Sequence, residues 1–413
     1  MKVNLKEDLI KYFESGFKKK FFIGVENEKF IFDRKTNKRL NYKQTKKVLV
    51  FLEKFGWRKV NEDKNLIGLT YKGKSITLEP GNQIELAGDK LKTIHDVCSE
   101  SFLFQNQLIK ACKKFNYKTI SIGYDPITKL EDVPGNPKKR YKVMTNEMPK
   151  GGNLSLNMMY QTSGTQINLD YKSELDFQKK FKVISFLTPL SIALFANSAI
   201  KEKKSSGHLS YRSKVWQNTS RGGLPKIFLE NMTFEKYSDF VLNFPLLFIY
   251  KNNNYLSANG RKLFDIVSRD GLNIKDLKLH LSTIFTELRL KTYIELRSVD
   301  ACEWDCHCAA PAFFTGLIYG NLNETFDIIK KWKINDILNA YKISHIKGLK
   351  TEINGKSIMY WAKILLNISK NGLIRRNFLN TEKKSEIVLL KNIESILNSG
   401  KTKADYSLEQ ISK

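Results

Sequence analysis

Apolar residues recur along this chain with two periods. Spacing near 3.6 over "QTKKVLVFLEKFG" (44–56) predicts a helix, and the amphipathic start "MKVNLKEDLIKYFE" predicts another within 1–20. Strict alternation predicts strands in "FFIGVENEKFIF" (21–32), at 66–79 and 83–87, in "TQINLDY" (165–171) and in "TYIELRSVD" (292–300). A long helix is expected over about 89–115, and helices follow the 165–171 strand to about 200. The most apolar run, "VISFLTPLSIALFA" (183–196), contains Pro189 and is too short to span a bilayer, so it reads as a buried helix. The four prolines of 124–160 predict a loop-rich excursion, and 201–225 reads as a Ser/Gly-rich polar loop. "PLLFIYKNNNYL" (245–256) reads as a hairpin with an Asn-rich turn, and the pattern from 311 onward is helical. Strands interspersed with helices, without βαβ regularity, predict an α+β fold on an antiparallel sheet. No boundary divides 1–413, so a single catalytic domain is expected, with a sheet-bearing core (1–310) and a helical C-terminal region (311–413) packed on it.

The polar faces of the strands are unusual. In "GVENEKF", Glu26 and Glu28 share a face opposite Val25 and Asn27. In "ITLEPGNQIELAG" (76–88), Glu79, Gln83 and Glu85 share one, with Pro80-Gly81 between them as a bulge or turn. Gln166, Asn168 and Asp170 share a third, and Tyr293, Glu295 and Arg297 a fourth. A water-facing sheet side is the plain alternative for any one of them. In so Lys-rich a chain, however, a solvated face should carry several lysines, and these carry Glu, Gln and Asn. If the faces join, five carboxylates converge, and like charges ~4 Å apart repel by ~1–4 kcal/mol per pair. Such a cluster calls for protonation or divalent cations, and hard oxygens without His suit Mg²⁺ or Mn²⁺ held together with phosphates. Arg297 beside Glu295 would meet charge developing on a transferred phosphoryl group.

Composition adds less. The formal charge of +28 first suggests nucleic acid or an anionic membrane. Lys outnumbers Arg 58 to 12 and is scattered, which fits solvated helix faces and codon bias better than a recognition surface. Five Cys without paired spacing argue against a disulfide framework. With no apolar signal core at the start, a soluble cytoplasmic protein is expected, with no membrane or nucleic-acid partner. No Walker-type loop or dinucleotide glycine fingerprint is present, and "SRGGLP" (220–225) reads as a turn.

Taken in order, these segments resemble the glutamate–cysteine ligases of the plant and proteobacterial type. "GVENEKF" is similar to that family's strand with two metal-binding glutamates, and "LEPGNQIELAG" (78–88) to its most recognisable run. "MMYQTSGTQINLDY", "LFANSAI", "YRSKVW", "PLLFIYKNNNYL", "YIELRSVDACEW", "AAPAFFTGLIY", "NGLIRR" and "SGKTKADYSLEQ" follow at similar spacing, over essentially the whole chain. The resemblance implies a glutamine-synthetase-like fold whose antiparallel sheet forms a funnel for ATP and metal. It implies ATP-dependent phosphorylation of the glutamate γ-carboxylate, then attack by the cysteine amine, the first step of glutathione biosynthesis. Glu26, Glu28, Glu79, Glu85 and Glu295 would hold two or three Mg²⁺ (or Mn²⁺). Arg297 would be catalytic and, with Gln83, would contact ATP. Thr162, Gln166 and Asn168 would line the floor, while Arg212, Trp216 and Arg221 would bind the amino-acid substrate. A monomer or homodimer is expected.

The chain departs from the family pattern in two places. Where the family usually shows Trp-Thr-Asp-Thr-Asp before its next Arg, "WQNTSRGG" lacks both Asp residues and reaches Arg221 earlier. In "DACEWDCHCAAP", Cys302, Cys306, His307 and Cys308 invite a zinc reading that the C-x₃-C-x-C spacing does not support; inert packing beside Trp304 is expected, with redox-sensitive thiols as the alternative. Another amine acceptor on the same fold is the nearest alternative function. A basic nucleic-acid-binding protein on an inactive ligase scaffold is the alternative from another class.

Overall fold

The computed structural model describes residues 5–270 and 274–411. Its centre is an antiparallel sheet of nine strands among the described residues. These are β1 (Ile23–Asp33), β2 (Arg58–Glu62), β3 (Asn65–Tyr71), β4 (Lys74–Leu78), β5 (Ile84–Ala87), β6 (Tyr117–Ile120), β7 (Gly164–Leu169), β8 (Leu288–Leu290) and β9 (Ile294–Asp300). Their order is β8-β9-β7-β1-β5-β4-β3-β2, and β6 pairs with the far end of β1. The expected α+β class is what the chain adopts.

Register explains why the polar faces meet. Glu26 lies opposite Gln166 on β7, and Glu28 opposite Glu85 on β5. Glu295 lies opposite Asn168, and Thr77 opposite Glu85. Cross-strand partners project to the same side, so these pairings gather the polar residues on one face. The other face of the central strands buries Val25, Ile167, Leu169, Ile294 and Leu296 in an apolar cluster that runs from Leu9 to Leu397. Its axis is α6 (Glu174–Leu194), capped by Ser173 and buried on all sides from Val183 to Leu194, with Pro189 inside it. A smaller cluster under β3–β5 takes in Val48, Leu49 and Leu52 of the helix α2 (Tyr42–Leu52), whose start is a capping box of Asn41 and Gln44. The long helix α3 (Ile94–Lys114), capped by Thr93, packs there as well.

Three local expectations change, and one open alternative is decided. The 66–79 strand is a hairpin, because Lys72 and Gly73 take positive φ and reverse the chain. Of the two forms expected at Pro80-Gly81 the chain takes the turn: Asn82 N donates to Glu79 O at 2.8 Å and Glu79 N to Gln83 O at 2.9 Å, so β4 and β5 pair directly. The excursion 124–160 contains the helices α4 (Lys139–Glu147) and α5 (Ser155–Gln161). The polar loop 201–225 contains the helix α7 (Tyr211–Gln217), started by the Ser210 hydroxyl accepting from Ser213 N. The N-terminal helix spans Leu5–Glu14, and residues 1–4 of that expectation lie outside the described residues. The hairpin 248–257 and the helical C-terminal part appear as expected, apart from a short hairpin at 352–357. No helix among the described residues is long and apolar enough to cross a membrane.

The cysteines also depart from expectation. Cys98 of α3 is bonded to Cys308, and Cys302 to Cys306, leaving Cys112 free and buried. A partner 210 residues away leaves no spacing signal to read. Bonded sulfurs also close the zinc reading of this segment.

One buried ion pair fastens the Pro80-Gly81 turn. Arg39 Nη1 lies 2.9 Å from Asp125 Oδ2, with both side chains almost wholly excluded from water, and Arg39 Nη2 donates to Gly81 O. Asp125 Oδ1 accepts from Ile127 N and Thr128 N, each at 2.9 Å. Removing one partner of a buried pair strands the other charge. Asp125→Ala is therefore expected to lower unfolding free energy by about 3–5 kcal/mol in urea titrations. A loss below about 1 kcal/mol would show that the pair is dispensable.

Candidate functional site

A cavity of about 180 Å³ opens on the polar face of the sheet. One wall is acidic: Glu26 and Glu28 from β1, Glu79 from the turn, and Glu85 from β5. Thr77 bridges the last two, its hydroxyl lying 3.3 Å from Glu79 Oε1 and 3.2 Å from Glu85 Oε1. Glu28 accepts from Gly164 N at 2.9 Å and from Gln166 Nε2 at 3.1 Å, and Glu26 accepts from Asn168 Nδ2 at 3.1 Å.

Glu85 is buried and the other three are half-buried, and the crowding tells on Glu28 and Glu85. Burial first, and then Glu79, push the Glu28 carboxyl up to about 7. Burial followed by Glu79, Glu26 and Glu28 pushes Glu85 well above the usual carboxylate range, against a smaller pull from Lys138. Burial, and then Arg140, push Lys138 down to about 8, against the opposing pull of Glu79 and Glu85.

The facing side is cationic. Arg297 Nη1 donates to Gln166 Oε1 at 2.5 Å and to Glu295, so Gln166 links Arg297 to Glu28. Glu295 is fully buried and paired with Arg289 at 2.7 Å and Lys291 at 2.9 Å as well as with Arg297. Burial alone would raise its carboxyl, but Arg289, Lys291 and Arg297 together hold it well below the usual range. Glu295 is thus an anchor for three cations on the side facing the acidic wall and does not itself line the cavity. Arg289, which does line it, uses its remaining donors on the carbonyls of Leu281, Ser282 and Ile284.

The other expected residues separate into two groups. Thr162, Gln83, Gln166 and Trp216 line the cavity. Gln83 Nε2 donates to Thr162 O at 2.9 Å while its Oε1 is buried without a partner. Trp216 packs against two guanidiniums, Arg212 at 4.7 Å and Arg297 at 5.1 Å. Arg212 itself lies one layer back, donating to Arg297 O at 2.8 Å. Arg221 is turned away: it donates to Thr283 O, Thr283 Oγ1 and Pro245 O, holding the 282–285 loop that forms one rim. Asp170 sits beyond the site, accepting from Phe22 N.

Sequence reasoning missed Arg140, Tyr141, Met144, Phe248 and Arg289. Arg140 is the most consequential. Its hydrogen bond to a protein side chain is to Tyr141 Oη at 3.1 Å, and its Nε is buried without a partner, so this guanidinium keeps donors for a guest in the cavity. The only hint was an Arg after two lysines in a Lys-dominated chain.

Hard oxygens, two carboxyls held up by burial and then by their acidic neighbours, and a Gln83 oxygen without a partner among the described residues form a donor set short of positive charge, which suits a hard divalent cation. No group of three or more His, Cys, Asp or Glu side chains among the described residues is yet drawn close enough to hold one.

Comparison with known proteins agrees in family and fold. The profile of glutamate–cysteine ligase family 2 matches residues 22–411. The chain is 37% identical over 420 residues to glutamate–cysteine ligase B, chloroplastic, of Oryza sativa subsp. japonica, covering 98% of this chain and 83% of that protein. It is 36% identical over 419 residues to the chloroplastic glutamate–cysteine ligase of Nicotiana tabacum, covering 98% and 79%. Among solved structures, a glutamate–cysteine ligase of Francisella tularensis in complex with AMP superposes with a TM-score of 0.56 at 13% identity, over 95% of this chain and 85% of that one. A bifunctional glutathione synthetase of Pasteurella multocida gives 0.50 at 13%, over 100% and 51%. At such identities the two solved structures speak for the fold alone.

The raised Glu28 carboxyl has a consequence for stability. Between pH 4.5, its ordinary value, and about 7, the folded state keeps a proton that the unfolded chain has released. Stability from this group therefore falls as pH rises through that window. In chelator-treated protein, the drop in unfolding free energy from about pH 5 to about pH 8 should be larger for wild type than for Glu28→Gln, by on the order of 2 kcal/mol. Equal slopes would mean that Glu28 titrates normally.

Proposed function

The chain belongs to glutamate–cysteine ligase family 2, and from that premise we propose that it is an ATP-dependent ligase joining the glutamate γ-carboxylate to the cysteine amine, the γ-glutamylcysteine-forming step of glutathione biosynthesis. The observation that carries the reading is the cavity itself, lined by Glu26, Glu28, Glu79 and Glu85 together with Arg297, Arg289 and Arg140.

The reaction divides into two displacements. A γ-carboxylate oxygen of glutamate attacks the γ-phosphorus of ATP; the bridging oxygen leaves with ADP, and an acyl phosphate forms. The cysteine nitrogen then attacks the acyl carbon, phosphate departs with the bond's electrons, and the nitrogen sheds its proton. Arg297, fixed by Gln166 and Glu295, offers its remaining charge to the transferring phosphoryl oxygens. Arg140 supplies a free fork for a substrate carboxylate. Glu26, Glu28, Glu79 and Glu85 would hold Mg²⁺, with the Gln83 oxygen as a neutral donor. The bound cation would neutralise phosphate oxygens that otherwise meet the acidic wall. Glu295 would join a metal's shell only by loosening its three ion pairs, so its first role here is to hold Arg297 and Arg289. Trp216 closes the floor over the stacked Arg212 and Arg297.

Three measurements test this. Phosphate release from ATP should require glutamate, Mg²⁺ and cysteine together; release driven by another amine and not by cysteine would change the acceptor. Glu85→Gln should lower kcat by at least about 10²-fold in a protein that still folds. Arg140→Met should raise an amino-acid KM by about tenfold or more with a smaller effect on the KM for ATP; unchanged constants would remove Arg140 from the binding site.

A further inference from the structure

The segment "DACEWDCHCAAP" (300–311) adds nothing to the cavity lining, yet it is built into the back of the strand that supplies two of the carboxylates. Side chains alternate on β1, so Asn27 points away from Glu26 and Glu28. It is 3% exposed, with Nδ2 lying 2.7 Å from His307 Nδ1 and 3.3 Å from Thr165 Oγ1 of β7. His307 Nε2 lies 2.9 Å from Ser101 Oγ on α3. The neutral ring is thereby held from both sides, one ring nitrogen donating and the other accepting. Burial, aided by Lys29, pushes the imidazole down to about 3 and keeps it neutral.

His307 is itself immobilised. The next residue, Cys308, is bonded to Cys98 of α3, and the preceding one, Cys306, to Cys302. Its backbone N donates to Glu303 O at 2.9 Å. A continuous chain of contacts thus runs from α3 through Ser101, His307 and Asn27 to Thr165 on β7. It grips β1 at the residue between two acidic side chains.

We propose that His307 is a positioning residue: by clamping Asn27 it sets the height at which Glu26 and Glu28 are presented to the divalent cation and the phosphates. This rests on the reading above that those carboxylates hold the cation. Packing alone would need only an apolar side chain of similar volume. The two-sided hydrogen bonding supplies direction as well, and ligand geometry within about half an ångström is what a metal site demands.

The test is Mn²⁺ binding to substrate-free protein, read from the electron paramagnetic resonance of the free ion, with steady-state kinetics alongside. His307→Leu is expected to weaken Mn²⁺ binding by about tenfold and to lower kcat comparably, leaving the KM for glutamate within about twofold. His307→Gln places an acceptor and a donor about as far apart as the ring nitrogens and should recover most of both. In an Asn27→Ala background, His307→Leu should cost nothing further. Wild-type Mn²⁺ affinity in His307→Leu, or losses that multiply in the double variant, would overturn the proposal. Should His307→Leu fail to fold, Ser101→Ala removes only the far anchor: about threefold weaker Mn²⁺ binding supports the clamp, and unchanged affinity overturns it. Wild-type protein that binds no Mn²⁺ and does not turn over would sink the functional reading and this inference together, an outcome distinct from a silent His307 variant.

Discussion

Repulsion among carboxylates crowded on one wall is the constraint on which the rest of this structure depends. Glu26, Glu28, Glu79 and Glu85 are brought together by strand register, and among the described residues none of them is held in an ion pair, Lys138 and the arginines acting on them only from a distance. Gly164 N, Gln166 and Asn168 donate to them from β7 without neutralising them. Arg297 and Arg289 stay on the far side because Glu295 binds them there. The acidic and basic halves are thereby held apart with a cavity between them. A guest that carries both negative phosphates and positive metal is the natural complement to such a split field.

The scaffold bears the cost of that separation. The Arg39–Asp125 pair and the Gly81 carbonyl fix the turn that carries Glu79, while Lys138 reaches the Leu78 carbonyl at 2.7 Å beside it. A side chain at Gly81 would stand 2.4 Å from the Tyr160 carbonyl, so the turn is set against α5 as closely as backbone permits. Behind the sheet, α6 supplies a largely apolar backing that leaves the strands little room to twist away.

The period-two alternation of the strands made much of this legible in the sequence. Because a one-residue slip would turn every polar side chain to the core, the pattern identified both the strands and their shared face. The Glu26/Glu28, Glu79/Glu85 and Gln166 groupings followed directly. What escaped was whatever lacked that periodicity. Arg140 and Tyr141 lie on a short helix inside a proline-rich stretch, where breaker residues masked the helical spacing. Arg289 lies on a three-residue strand, too short to alternate visibly. Arg212 and Trp216 were noticed, but Ser and Gly around them hid the helix that sets one behind the other. Glu295 was assigned to the acidic group on its face alone, and only the structure places three cations around it. The Cys98–Cys308 bond joins segments that nothing local connects.

The sheet order also governs when the site can exist during synthesis. β1 is the second regular element to leave the ribosome, yet its neighbours are β5 on one side and β7 on the other, with β9 beyond β7. Pairing across such separations pays loop-closure entropy before contacts return it, so the edge of the central strand that receives β7 stays open while more than a hundred residues follow. The cation-binding Glu295 arrives later still. A nascent chain stalled before residue 288 would carry the four glutamates and Arg140 without Arg289, Glu295 and Arg297, and would need its exposed β7 edge kept from other chains.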